Sequence, residues 1–256
     1  MPAHRVYLEP FFGSGAVFFA KQPAQHEVIN DVDNVVVTFF RVLREQPMEL
    51  ERVCRLTPYS RREWELCRDV READLPDLEV ARRFWVRVTQ SFAAAVGSRG
   101  GWSISTEQNT RAPVTVQARL DRFKTVAERL AGVSIENVAA TDLIERLATP
   151  DTVIYADPPY MDHVRRGSRG TRSSDYGFDM GDPEDHKDLA RVLLATPATV
   201  ILSGYPSELY DELYADWWSE DKQVNSQSVN RRTGQWIKRT EQIWCNRDLG
   251  AGRLFA

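Results

Sequence analysis

Apolar and polar positions change their period twice along the chain. Val6-Tyr7-Leu8 is a short apolar run with the character of a buried strand, and Phe11-Phe12-Gly13-Ser14-Gly15 reads as the turn after it. Residues 16–21 then open a helix, 27–30 form a second strand, and in 33–45 the apolar Val36, Val37, Phe40 and Leu43 recur at helical spacing. Strand, helix, strand, helix is the opening of a parallel α/β sheet. From about 47 to 132 the strand signals vanish. Ser60-Arg61-Arg62-Glu63 has the spacing of a capping box ahead of Trp64-Glu65-Leu66. Asp77 can cap a long helix running through Phe84, Val88 and Phe92 to a stop at Gly97. Residues 98–111 lack periodicity and read as a loop, and 114–130 read as one amphipathic helix. The alternation then resumes, with strands at 134–138 and 153–156 and a polar stretch at 161–181 rich in Gly, Ser and Arg. Asp182-Pro183 starts a helix ending near Leu194, followed by a strand at 200–203 and a helix at 207–214. A hairpin of 224–229 and 241–246 around the tip 230–235 closes the chain. The predicted organisation is an α/β core of residues 1–46 and 133–256, with a helical insertion at 47–132.

Composition narrows the class without naming a function. A chain of 256 residues suits one large domain, or a core carrying an inserted one. With 42% hydrophobic and 27% charged residues it is an ordinary globular sequence. No apolar run approaches the roughly 18–20 residues of a membrane span, and no basic-then-apolar leader opens the chain, so a cytoplasmic protein is expected. Cys54, Cys67 and Cys245 are scattered, giving neither a disulfide framework nor a zinc spacing. His4, His26, His163 and His186 never pair at a ligand interval, so no metal is expected. The net charge of −4 argues against indiscriminate binding to nucleic acid. The arginines nevertheless gather: Arg82, Arg83 and Arg87; Arg165, Arg166, Arg169 and Arg172; Arg231, Arg232 and Arg239. Each patch reads equally as a solvated face or as a phosphate contact. From 165 to 172 no acidic residue interrupts the run.

Two features could carry chemistry. A glycine turn after the first strand of such a sheet can bring backbone N–H groups against a ligand, and Glu9-Pro10-Phe11-Phe12-Gly13-Ser14-Gly15 has that placement. A lone G-x-G is weak evidence, since most such turns are structural. Asp31, at the end of the second strand, stands where nucleoside-binding sheets keep a carboxylate for ribose hydroxyls, though it could also serve as a helix cap. Asp157-Pro158-Pro159-Tyr160 is more specific. Two prolines stiffen the chain where a strand ends, fixing a carboxylate and the carbonyl of Pro158. Together these form a matched pair of acceptors for the two N–H donors of an exocyclic amine. The aromatic ring that follows can stack on a base.

In these segments the sequence resembles the Dam-type class of N6-adenine DNA methyltransferases. The likeness covers residues 7–18, Val28-Ile29-Asn30-Asp31, residues 155–160, Leu202-Ser203-Gly204-Tyr205 and Lys238-Arg239-Thr240-Glu241, in the family's order. The resemblance implies a Rossmann-like S-adenosylmethionine-dependent methyltransferase fold with an inserted helical target-recognition domain. It implies that Glu9, Pro10, Phe11, Gly13 and Gly15 hold the methionine part of S-adenosylmethionine and that Asp31 binds its ribose. Asp142 and Leu143 would flank its adenine. Asp157 and the Pro158 carbonyl would hold the target N6 within the Asp157-Pro158-Pro159-Tyr160 motif, with Tyr160 stacked on a flipped base. Arg165, Arg166, Arg169, Arg231 and Arg232 become candidate contacts to double-stranded DNA. The expected protein is monomeric, with a cognate restriction enzyme as a further partner. The family also carries a Lys-Trp-x-Gly-Gly-Lys-like segment ahead of the first strand. Met1 lies directly before that strand here, so a less tightly held methionine end is expected. Two other readings stay open on sequence: transfer to cytosine N4 or RNA, and a DNA-binding relative with weakened catalysis.

Overall fold

The computed structural model describes residues 1–68, 74–91, 101–103, 112–161, 180–229 and 236–248. In chain order the elements are β1 (Val6–Glu9), α1 (Ala16–Ala20), β2 (His26–Asn30), α2 (Asn34–Glu45), α3 (Pro47–Leu56), α4 (Arg61–Leu66), α5 (Asp77–Gln90), α6 (Ala112–Leu120) and α7 (Phe123–Leu130). There follow β3 (Ser134–Glu136), α8 (Ala140–Leu147), β4 (Thr152–Ala156), α9 (Pro183–Ala195), β5 (Thr199–Gly204), α10 (Glu208–Leu213), β6 (Trp218–Val229) and β7 (Trp236–Cys245). They fall into two compact units: residues 1–12, 22–32 and 138–256, and residues 13–21 and 33–137. No helix among the described residues is long and apolar enough to cross a membrane.

The first unit is built on strands in the order β2-β1-β4-β5-β7-β6. The first four are parallel, and β7 and β6 close the sheet as an antiparallel pair. Every residue of β5 is buried, which explains why its sequence reads as a continuous apolar run rather than an alternation. On one face Leu8, Ile154, Ala156, Val200, Leu202 and Trp244 pack against Leu143 and Ile144 of α8, Leu189 and Leu193 of α9, and Tyr210 of α10. Strand alternation sends Tyr7, Glu9, Tyr155 and Ser203 to the other face. Helices start where capping chemistry places them: Asp182 accepts from Glu184 N at 3.0 Å and Ser207 from Tyr210 N at 3.2 Å. The arrangement is the Rossmann-like α/β fold expected.

The second unit is helical. Asp33 caps α2 by accepting from Val35 N at 3.0 Å, and α2 buries Val35, Val36, Phe39, Phe40, Val42 and Leu43. An aromatic cluster ties its helices together, with Phe39 5.0 Å from Phe84 and Trp85 edge-on to Phe123 at 4.9 Å.

Several local expectations are corrected. The capping box does not form: Ser60 is the N-cap of α4 but its side chain makes no cap bond, its backbone N–H donates to Gln90 Oε1 at 3.1 Å, and Glu63 takes Arg82 at 2.6 Å. Asp77 is the first residue of α5 rather than its cap, and the helix ends at Gln90, where Ser91 bridges to Trp102. Phe92 and Gly97 lie outside the described residues. The expected single helix at 114–130 is two, α6 and α7; Leu120, Phe123, Ala127 and Leu130 are all buried, so one apolar stripe runs across the break and hides it from the period. Strand β3 stops at Glu136, and β6 begins at Trp218 rather than 224. Helix α8 was not expected.

Candidate active site

Strand β4 is buried along Thr152–Ala156 except at Tyr155, and it ends where the two prolines remove backbone donors. The chain turns there without a cis peptide. Beyond the turn, Met161 is 3% exposed and anchors the motif in the core. Between these fixed points lies Asp157. The Tyr160 hydroxyl donates to its Oδ1 at 3.3 Å. Burial raises the Asp157 carboxyl to about 6, opposed by the hydroxyls of Tyr160 and Ser203 while Glu241 adds to the rise. The Tyr160 ring leans on Tyr205, with centroids 4.4 Å apart and planes at 55°. A carboxylate holding one hydroxyl still has acceptor capacity to spare, and an aromatic pair stands beside it.

At the end of β1, Glu9 is 2% exposed and its Oε2 accepts the Tyr7 hydroxyl at 2.6 Å. Burial, then the charge of Glu9, push the Tyr7 hydroxyl far up. Asn30, which sequence reasoning gave no role, organises this corner. Its Nδ2 donates to the carbonyls of Pro10 at 2.9 Å and Val138 at 3.1 Å, while its Oδ1 accepts from Val138 N at 3.0 Å. Its own carbonyl accepts from Phe12 N at 2.8 Å. A fully buried amide at the end of an apolar strand was the available signal. Asn30 thus fixes the exit of β1 and the approach to α8 relative to β2. Asp31 follows it in the chain, half-buried. Gly13 and Gly15 have φ of 49° and 68°, a left-handed backbone that other residues adopt only with strain. Asp142 is exposed in the first turn of α8. Leu143 is buried completely among the core side chains, so it can offer a ligand only the backbone of that turn.

The basic candidates divide. Arg165, Arg166, Arg169, Arg231 and Arg232 lie outside the described residues. In the second unit Arg82 pairs with Glu79 at 2.7 Å and Glu63 at 2.6 Å, Arg83 pairs with Glu79 at 2.7 Å, and Arg87 sits 4.4 Å over the Trp64 ring. That patch is committed to its own unit.

Residues 1–227 match the family described as D12 class N6 adenine-specific DNA methyltransferase. The chain belongs to that family. This methyltransferase is 27% identical over 224 residues to the type II methyltransferase M1.LlaDCHI of Lactococcus lactis subsp. cremoris, covering 82% of this chain and 76% of that one. Among solved structures it is similar to PH1948 of Pyrococcus horikoshii, a candidate RNA methyltransferase. That likeness has a TM-score of 0.37 at 6% identity and covers 95% and 74% of the two chains. It is also similar to yhhF of Escherichia coli, a candidate methyltransferase, with a TM-score of 0.32 at 12% identity, covering 93% and 74%. Superpositions that loose add nothing to the methyltransferase's own strand order.

Proposed function

We propose that this adenine-N6 DNA methyltransferase acts at Asp157, using S-adenosylmethionine as donor and a specific sequence in duplex DNA as substrate. The observation that supports the site most strongly is the half-buried Asp157 carboxylate, held by the Tyr160 hydroxyl beside the Tyr160–Tyr205 pair. An adenine entering beside that pair, flipped from the duplex at a cost of about a few kcal/mol, stacks on Tyr160 and presents its amine to Asp157 and the Pro158 carbonyl. The carboxylate draws the N6 hydrogens out of the ring plane and leaves the lone pair on nitrogen. Its raised proton affinity suits it to take the proton that N6 loses on methylation.

The residues at the end of β1 fit the donor. The left-handed backbone at Gly13 and Gly15 can turn successive N–H groups toward a carboxylate, and a side chain at Gly13 would meet nothing within 4 Å, so the space beside it is open. Glu9, Pro10, Phe11, Gly13 and Gly15 would hold the methionine end, where the acidic Glu9 suits a cationic group. Asp31 would bind the ribose, and Asp142 with the backbone of Leu143 the adenine. When bound, S-adenosylmethionine supplies a methyl group on a positively charged sulfur. The chain's part is alignment, which sets the rate of such a transfer.

The helical block at 47–132, the segment at 161–181 and the hairpin tip with Arg231 and Arg232 would read the DNA, basic residues positioning phosphates and fewer side chains reaching base edges. A monomer with a cognate restriction enzyme accords with a relative named as a type II methyltransferase. Replacing Asp157 tests the site: Asp157→Ala abolishes transfer while leaving the fold intact, and full activity in that variant would remove the assignment.

A further inference from the structure

We propose that the exposed face of α6 and the corner where α6 meets α7 are the surface by which the helical unit grips duplex DNA. Arg119, Arg122 and Lys124 take phosphates there, and Val114, Thr115 and Ala118 face base edges. The inference rests on DNA being the substrate and adds where the helical unit meets it.

Helix α6 is held from one side. Val116 and Leu120 are buried, and Gln117 between them accepts from Arg55 of α3 at 3.2 Å. Helical spacing turns Val114, Thr115, Ala118 and Arg119 the other way, and all four are exposed, Val114 by 58%. The chain continues through Asp121 and Arg122, both exposed, into α7, whose first turn exposes Lys124 and Thr125.

Charge sets this surface apart from its neighbours. On α3 and α5 the arginines are tied to acids: Arg52 to Glu49 at 2.7 Å, Arg55 to Glu51 at 2.8 Å, and Arg82 and Arg83 to Glu79 at 2.7 Å. Among the described residues Arg119, Arg122 and Lys124 have no acidic partner. The acid that lies between them in the chain, Asp121, is taken by Arg55 at 2.8 Å, so its charge is met from inside the unit. Glu128, exposed one turn further along α7, makes no ion pair with Lys124. A phosphate backbone binds by exchanging its counterions for fixed positive charge, and cations not already spent on carboxylates supply it. With a net charge of −4 the chain cannot attract DNA as a whole, so contact must be local.

The face beside these cations suits what lies between the phosphates. The nine residues of α6 span roughly 13 Å, close to the major-groove width of about 12 Å. Val114, Thr115 and Ala118 are short, so the helix can approach closely. Their methyl groups fit the C5-methyl of thymine, and the Thr115 hydroxyl can serve a base-edge donor or acceptor. No side chain caps α7 at Arg122, and helix geometry points the first N–H groups of α7 back at the same corner, where a phosphate oxygen can accept them.

The test is the salt dependence of binding between the full chain and a fluorescein-labelled duplex, read by anisotropy. Arg119→Gln, Arg122→Gln and Lys124→Gln are combined in one variant, because glutamine removes the charge and keeps the helix propensity. This variant should flatten the slope of log affinity against log salt by about 2–3, each phosphate contact contributing about 0.9. Arg52→Gln, which removes an exposed arginine already paired with Glu49, should keep the parental slope. Val114→Ala combined with Thr115→Ala should also keep that slope, but lower by about tenfold the discrimination at one base pair or more around the methylated adenines mapped on plasmid DNA. The substituted side chains are exposed, and circular dichroism confirms that each variant is folded. A parental slope in the triple variant, or equal flattening by Arg52→Gln, overturns the phosphate contacts. An unchanged methylation context in the Val114, Thr115 variant overturns the base contacts. Either result beside a parent that methylates DNA removes only this surface, whereas a parent that neither binds nor methylates DNA removes the substrate beneath it.

Discussion

Asp157→Asn should stabilise this protein while disabling it. Burial lifts the Asp157 carboxyl from 3.8 to about 6, so keeping it ionised at neutral pH costs the folded state about 3 kcal/mol. The sign follows from the direction of the shift. A carboxyl raised on folding binds its proton more tightly in the native state, so its penalty is absent below about 3.8, grows between about 3.8 and 6, and is complete above about 6. An amide has no charge to desolvate. Its oxygen can still accept the Tyr160 hydroxyl, but its NH2 group puts donors where the carboxylate had an acceptor, which offsets part of the gain. The expected net stabilisation at pH 8 is about 1–3 kcal/mol, shrinking toward zero or reversing at pH 4. Urea unfolding of both proteins at pH 4, 6 and 8, followed by tryptophan fluorescence, measures it. An Asn variant less stable than the parent at pH 8, or a difference that does not change with pH, would refute the reasoning. Such a result would mean that the carboxylate is held by donors strong enough to cancel its burial.

Three further outcomes follow. Gly204→Ala should cost about 1–3 kcal/mol by overpacking, because its Cβ would lie 3.0 Å from the Tyr210 ring and 3.3 Å from that of Trp244; thermal melting of the variant reads it. Arg82→Ala should destabilise the helical unit by about 1–3 kcal/mol, since it removes the partner of Glu63 in a partly buried site and leaves Glu79 with Arg83 alone; Glu79 is held down to about 2, so the loss should be full above about pH 4.5 and fade as pH falls toward 2, measured by denaturation at both ends. Reversing the charges of Arg165 and Arg166 should weaken DNA binding and flatten its salt dependence; an unchanged salt slope would make that segment a solvated surface.

The parts of the fold legible in the sequence are those in which local pattern and tertiary need coincide. Strands β1, β2 and β4 are apolar runs because the parallel sheet buries both their faces, and Asp33, Asp182 and Ser207 cap helices with their own side chains. What sequence reasoning missed is non-local. Glu63 had the position of a capping-box acid, but Gln90 of α5 takes the Ser60 backbone N–H and Arg82 of α5 takes Glu63. The first half of β6 is polar, Ser219-Glu220-Asp221-Lys222-Gln223, because an edge strand needs backbone pairing and gains protection from charge; no alternation announces it. At the site, Asp157 and its prolines declared themselves through an unusual local string. Asn30 did not, because the bonds that give it meaning reach Pro10 and Val138, far away in the chain.

The most direct test of the central claim is the identity of the methylated base. Duplex DNA treated with the purified protein and S-adenosylmethionine, digested to nucleosides and analysed by mass spectrometry, should yield N6-methyl-2′-deoxyadenosine. The product should be confined to one sequence context and absent when Asp157→Ala replaces the parent. Methyl groups on cytosine, no methylated base from the folded parent protein, or equal N6-methyl-2′-deoxyadenosine from the Asp157→Ala variant would contradict the account.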